Sequence, residues 1–234
     1  FGFRTPGCSS RNGSTMTDAT NAIPENEPHA SKTPRRIVVG ITGASGACYA
    51  VRVIELLAAS GIETHIACSN LGRRLLAEEM GITQLDPDAL SGGRGDRLVI
   101  HAGNDVGAAC ASGSFKHDGM VVVPASSNTL AKIAHGISDN LVQRAAQVTL
   151  KERRPLVIAH RESPIGMAEI EAMRKVTQAG AVVAPLSPGF YLEPTSIEDL
   201  VDFMAGRLLD LLGVDHGLEI RWDQHLEARR LRSE

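Results

Sequence analysis

The stretch Ile37-Val38-Val39-Gly40-Ile41-Thr42-Gly43-Ala44-Ser45-Gly46 sets the architecture of the chain. Its first five residues are apolar and mostly β-branched, and the run is short. It reads as a strand buried on both faces of a sheet. Thr42 to Gly46 are small turn residues, and a helix is predicted from about Ala47 to Ala59, ended by Gly61. Strand, tight turn and helix together open a β-α-β unit.

The same alternation continues outward. A strand is predicted over Ile62–Cys68, with Ser69 as the N-cap of a helix over Leu71–Met80. Residues 81–95 are loop-rich and predict no element. Leu98–His101 reads as a short strand, and Gly119–Val123 as a better one stopped by Pro124. Helices are predicted over Asn128–His135 and Leu141–Lys151, then a strand over Pro155–Ala159 and a helix over Met167–Gln178. Ala181–Ala184 is a last strand, stopped by Pro185, before a helix over Ser196–Leu212. Alternating strands and helices imply a parallel sheet with helical crossovers. Ligands of such sheets sit beyond the carboxyl ends of the strands, here the turns after Ile41, Cys68, Val123, Ala159 and Ala184.

Bulk composition narrows the class. The 234 residues are 43% hydrophobic, enough for one core rather than two. Aromatics are only 3%, so the core is built of Ala, Val, Leu and Ile. A net charge of −3 gives no global field toward nucleic acid or an anionic membrane. Cys8, Cys48, Cys68 and Cys110 have no CxxC or zinc-finger spacing, and read as reduced thiols of a cytoplasmic protein. No run approaches the roughly 20 apolar residues of a membrane span. Residues 1–34 are rich in Ser, Thr, Asn, Pro and Gly and read as a disordered extension, with Met16 a candidate start. Residues 35–214 form the predicted domain, and 215–234 a tail suited to intersubunit packing.

Three predicted turns suit a ligand. The first, Thr42 to Gly46, lacks the full GxGxxG pattern but lets backbone N–H groups approach a ligand at a helix N-terminus. Cys68-Ser69-Asn70 reads equally as a plain cap. Pro124-Ala125-Ser126-Ser127-Asn128-Thr129 gathers hydroxyls and an amide before a helix, a good phosphate cradle. Arg144 comes after that cradle, and Lys151, Arg153 and Arg154 form a basic helix end. Arg161 and Glu162 directly follow a strand, as site residues or as a structural ion pair. Tyr191 stands out in an aromatic-poor chain. Trp222 and His225 lie in the tail.

These segments together resemble the UbiX-type flavin prenyltransferases, within the homo-oligomeric flavin-containing cysteine decarboxylases. The resemblance rests on TGASGACYAVR at Thr42 to Arg52, SGSF at Ser112 to Phe115 and RAAQVTLKERRPLVIAHRESP at Arg144 to Pro164. It extends through GAVVAPLSPGFYLEPTSIEDLVDFMAGRLLDLLG at Gly180 to Gly213, and Arg221-Trp222, so it covers nearly everything after Arg36. It implies a flavodoxin-like doubly wound sheet, assembled as a dodecamer with sites between subunits. It implies metal-independent transfer of dimethylallyl from dimethylallyl monophosphate to N5 and C6 of reduced FMN. The product, prenylated FMN, would serve a UbiD-type decarboxylase. By position, Gly43, Ala44, Ser45, Ser69, Ser126, Ser127, Asn128, Thr129 and Arg144 are the implied FMN contacts. Lys151, Arg161, Tyr191 and Arg207 are the implied holders of the donor phosphate. Glu79 and Glu162 are the implied acid and base, with Ser45 as a proton relay.

The chain departs from this pattern at two places. The cradle PASSNTLAKIAHGISDNL is closer to the cysteine decarboxylase branch, and Asn70 stands where many relatives carry Lys. Yet His160 to Pro164 has no Met-Asn pair of the substrate-clamp type. The competing expectations are therefore FMN-dependent decarboxylation of a cysteinyl substrate, read out as released carbon dioxide, and a non-catalytic flavin carrier, for which the phosphate-holding charges would be unnecessary.

Overall fold

Ile37, Val38, Val39 and Ile41 are all buried in strand β1 (Arg36–Ile41), which lies inside a six-stranded parallel sheet. The computed structural model describes residues 35–218. β1 is flanked by β2 (Glu63–Cys68) and β4 (Gly119–Ala125). Outside them lie β3 (Leu98–His101), β5 (Leu156–His160) and the two-residue β6 (Val182–Val183), giving the order β3-β2-β1-β4-β5-β6. Without the edge strand β3, the order is that of a flavodoxin-like sheet, 2-1-3-4-5. The fold is thus the doubly wound α/β type implied by the alternation.

Side-chain alternation along each strand divides the core in two. On one face, Ile37, Val39 and Ile41 pack with Ile66, Val121 and Val157 beneath helices α1 (Ala47–Ala59) and α7 (Ile197–Leu211). On the other, Val38, Met120, Val122 and Ile158 pack beneath α4 (Ser127–Ala134), α5 (Leu141–Lys151) and α6 (Met167–Gln178). Gly40 permits the close approach of β1 and α5, since a Cβ there would lie 2.7 Å from Val142 Cγ1.

Two local expectations are corrected. Pro124 does not end β4, which continues to Ala125. The ladder to β5 shifts register between Val122 and Ala125, so the missing proline N–H falls where pairing is already broken. The Pro124 carbonyl instead accepts from Thr42 N at 3.2 Å and Thr42 Oγ1 at 2.8 Å, tying the first and third turns together. The loop-rich segment contains a short helix, α3 (Pro87–Ser91), whose N-cap Asp86 accepts from Asp88 N and Ala89 N at 3.0 Å. Val214, the last residue of the predicted domain, and His216, in the predicted tail, are both buried. The extension over 1–34, Trp222 and His225 lie outside the described residues.

Candidate functional site

Helix starts converge where the strand order reverses between β1 and β4. Helix α2 (Asn70–Met80) is capped by Ser69 Oγ, which accepts from Gly72 N at 3.0 Å. In α4 the cap is Ser126 Oγ, accepting from Thr129 N at 3.3 Å, and in α5 it is Asn140 Oδ1, accepting from Gln143 N at 3.1 Å. These caps, with Gly43, Asn70, Asn128 and Thr129, line a cleft of about 270 Å³. Helix N-termini carry free amides and partial positive charge, so the cleft favours an anionic group such as a phosphate. Its floor leaves no room for larger residues. A Cβ on Gly43 would lie 2.4 Å from Leu71 Cβ, and one on Gly103 only 2.1 Å from the Cys68 carbonyl oxygen. Gly103→Ala is therefore expected to cost about 1–3 kcal/mol of stability and to weaken flavin binding. Urea midpoints and quenching of flavin fluorescence check both.

Beside the cleft, the first turn carries the strongest constellation. Gly46 has φ 115°, a left-handed conformation, and precedes α1. Glu79, from the last turn of α2, accepts on Oε2 from Gly46 N at 2.9 Å and from Ala47 N at 2.8 Å. Arg161 Nε donates to the Ser45 carbonyl at 3.2 Å. Burial pushes the Glu79 pKa up, but the amides of Ala47 and Gly46, the Ser45 hydroxyl and the Arg161 charge outweigh it and hold the carboxyl below its ordinary value. Glu78 does not share this position: it is exposed and accepts from Arg74 Nε at 2.7 Å.

The expected site residues divide into those this chain gathers and those it does not. Gly43, Ser69, Ser126, Asn128 and Thr129 line the cleft, while Ser45, Glu79 and Arg161 meet at its edge. Ala44 is buried in the turn. Ser127 is turned away from the lining: its hydroxyl meets His160 Nε2 and Glu162 Oε2, each at 3.1 Å. Arg144 is exposed on α5, about 100° around the helix from Gln143, which lines the cleft. Lys151, at the far end of α5, is paired with Glu152 at 3.7 Å. Eight residues of helix separate it from Gln143, about 12 Å along the axis. Arg207 is paired with Asp210 at 3.2 Å, and Tyr191 packs edge-on against Phe203. Sequence reasoning missed Gly103, Asn104 and Gln143, which also line the cleft, and did not single out Lys132, Asp139 and Asn140 within the 124–141 cradle. Only Asn140, a cap residue directly before an apolar helix, left a local signal.

A doubly wound α/β sheet with capped helix N-termini around a cleft at its switch point defines a protein that binds a phosphate-bearing cofactor. The flavoprotein family profile matches residues 25–209. The flavin prenyltransferase UbiX of Deinococcus radiodurans is 42% identical over 193 residues, 82% of this chain and 96% of that protein. The flavin prenyltransferase LpdB of Lactiplantibacillus plantarum is 43% identical over 190 residues, 81% of this chain and 98% of the relative. Among solved structures, AnUbiX in complex with FMN and dimethylallyl pyrophosphate aligns with a TM-score of 0.74 at 43% identity, covering 81% of this chain and 97% of that one. A dodecameric FMN-dependent UbiX-like decarboxylase from Escherichia coli O157:H7 aligns with a TM-score of 0.73 at 36% identity, covering 80% and 98%. The chain belongs to the UbiX-type flavin prenyltransferases, within the flavoprotein family.

Proposed function

We propose that this protein transfers dimethylallyl from dimethylallyl monophosphate to reduced FMN, giving prenylated FMN for a UbiD-type decarboxylase. The observation that carries the reading is the meeting of Glu79, Ser45 and Arg161 at the edge of a cleft suited to a nucleotide phosphate. The cleft residues fit FMN: the three helix starts and the neutral side chains of Ser69, Ser126, Asn128 and Thr129 suit its phosphate. Leu71 closes against Gly43 with no room for a Cβ, so at that position the turn offers a ligand only its backbone.

Reduced flavin supplies the nucleophilic N5 and the carbon C6 at which the second bond closes. The chain's own groups handle the charge and the protons. Arg161 Nε is held by the Ser45 carbonyl, which leaves the other guanidinium nitrogens to donate to the departing phosphate. Glu79 is kept ionised by its amide partners, so its role is that of base for the proton lost from C6. Both amides bond to Oε2, which leaves Oε1 as the proton acceptor. Ser45, whose hydroxyl favours the Glu79 anion, is placed to pass that proton on. Glu162, two residues past β5, takes up the proton that Ser45 passes on and gives it to the departing phosphate. Lys151, Tyr191 and Arg207, and with them Arg144, serve the site of a neighbouring subunit in a homo-oligomer of the dodecameric kind. Among the described residues no helix is long and apolar enough to cross a membrane.

Mass spectrometry of the flavin after incubation with reduced FMN and dimethylallyl monophosphate tests the reading. A flavin heavier by one five-carbon prenyl unit is expected; FMN of unchanged mass overturns it. Decarboxylation of a cysteinyl peptide is favoured only by the likeness of the 124–141 cradle, and released carbon dioxide would reveal it.

A further inference from the structure

We propose that His160 is a positioning residue for Glu162, acting through the hydroxyl of Ser127. The inference deepens the prenyltransferase reading and rests on the role that reading gives Glu162. His160 is the last residue of β5 and is buried, whereas Glu162, two residues on, is exposed. Ser127 bridges them from the first turn of α4, with Oγ 3.1 Å from His160 Nε2 and 3.1 Å from Glu162 Oε2.

Proton counting fixes the direction of this chain of bonds. A hydroxyl has one proton. Ser127 donates it to Glu162 Oε2 and must therefore accept from His160, which makes His160 the Nε2–H tautomer. Burial pushes the pKa of His160 down, against the raising effect of Glu162 and Glu169 and with the lowering effect of Arg161, so the ring is neutral at pH 7. Glu169, whose Oε2 accepts from Gly166 N at 2.9 Å, also faces the Ser127 hydroxyl. The ring thus turns the Ser127 proton away from itself and toward these carboxylates, with Glu162 Oε2 at 3.1 Å. Glu162 Oε1 is held by Ser163 N at 3.1 Å, so both carboxylate oxygens are oriented. Without His160 the Ser127 hydroxyl is free to rotate, and an exposed glutamate recovers the rotamers that folding took from it.

The test is steady-state kinetics of the full-length enzyme with reduced FMN and dimethylallyl monophosphate, using His160→Leu, His160→Gln, Ser127→Ala, Glu162→Gln and the His160→Leu/Ser127→Ala double variant. His160→Leu and Ser127→Ala are each expected to lower kcat roughly tenfold, the worth of one hydrogen bond, with KM and the FMN dissociation constant near wild type. Because the two act in series, the double variant should be no slower than either single one. His160→Gln, whose amide N–H can replace Nε2–H, should restore kcat to within about threefold of wild type. Should His160→Leu fail to fold, Ser127→Ala and His160→Gln still carry the test. Multiplicative losses in the double variant, or full turnover by His160→Leu or Ser127→Ala beside an inactive Glu162→Gln, would overturn the positioning role alone. Full turnover by Glu162→Gln would overturn it together with the role of Glu162.

Discussion

Glu79→Gln is expected to lower product formation by roughly 10²–10⁴-fold, the usual worth of a proton-transfer group, while Glu78→Gln stays within about twofold of wild type. The two residues are adjacent, so a helix turns them about 100° apart. Glu79 lies on the amides of Gly46 and Ala47, beside the turn that borders the cleft, and Glu78 faces solvent with Arg74. The glutamine can still accept from those amides, so the helix junction survives while the basic oxygen is lost. Saturating reduced FMN and dimethylallyl monophosphate isolate the chemical step. Equal rates for the two variants would remove Glu79 from the mechanism.

The same geometry sets a pH dependence. The folded-state pKa of Glu79 is depressed, so its contribution to stability is fully present above the ordinary glutamate value of about 4.3. It is lost as pH falls through the lower folded value. The side chain is exposed, and solvent screening keeps this contribution under about 1 kcal/mol. The acid limb of kcat/KM that belongs to Glu79 should accordingly lie below the ordinary carboxylate range. An acid limb near pH 6 that disappears in Glu79→Gln would contradict the amide-held anion.

How much of the fold and site was legible in the residues depended on how local the cause was. β1, the turn after it and α1 could be read directly, because burial on both faces demands an unbroken apolar run and the tight turn demands small residues. The bounds of α5 and α6 were likewise set by local pattern and caps, and match the structure. α3 escaped because five residues show little periodicity, although Asp86 before Pro87 was a usable start signal. Pro124 misled because the rule that proline ends strands assumes an intact ladder, and the β4–β5 register shift removes that assumption. In the site, only Ser69 was read as a cap, and the convergence of the three capped helix starts is a product of strand order. Gly103 and Asn104 join the cleft because β3 ends beside β2, which no local pattern in residues 98–104 announces. Glu79 had only the family resemblance behind it, since on helical pattern alone it is one of two solvated glutamates.

Lys151→Ala and Arg207→Ala are each expected to leave FMN bound yet cost about 1.5–3 kcal/mol in use of the prenyl phosphate, the loss of one charge-assisted hydrogen bond. In kcat/KM for dimethylallyl monophosphate that is a fall of roughly 10- to 150-fold. Both residues lie on helices whose N-terminal ends, not these positions, approach the strands' carboxyl edge. Leu141 N at the start of α5 bonds to the Gly103 carbonyl, whereas Gly213, just past α7, accepts from Arg35, just before β1. Both side chains are exposed, and among the described residues Lys151 pairs with Glu152 and Arg207 with Asp210. We infer that residues so placed reach a donor phosphate beside Arg161 from another subunit. Mixed oligomers separate this from a role within one chain. When Glu79→Gln and Lys151→Ala chains are co-expressed in equal amounts, a shared site is intact wherever a Lys151→Ala chain provides Glu79 and its neighbour, a Glu79→Gln chain, provides Lys151. Random assembly makes that roughly a quarter of all sites, so the mixture should regain roughly a quarter of wild-type activity although each parent is nearly inactive. If both residues served the same chain's site, every site would carry a lesion and mixing would restore nothing. Activity no higher than the mean of the two parents, in oligomers shown by mass spectrometry to be mixed, would place Lys151 outside the shared site.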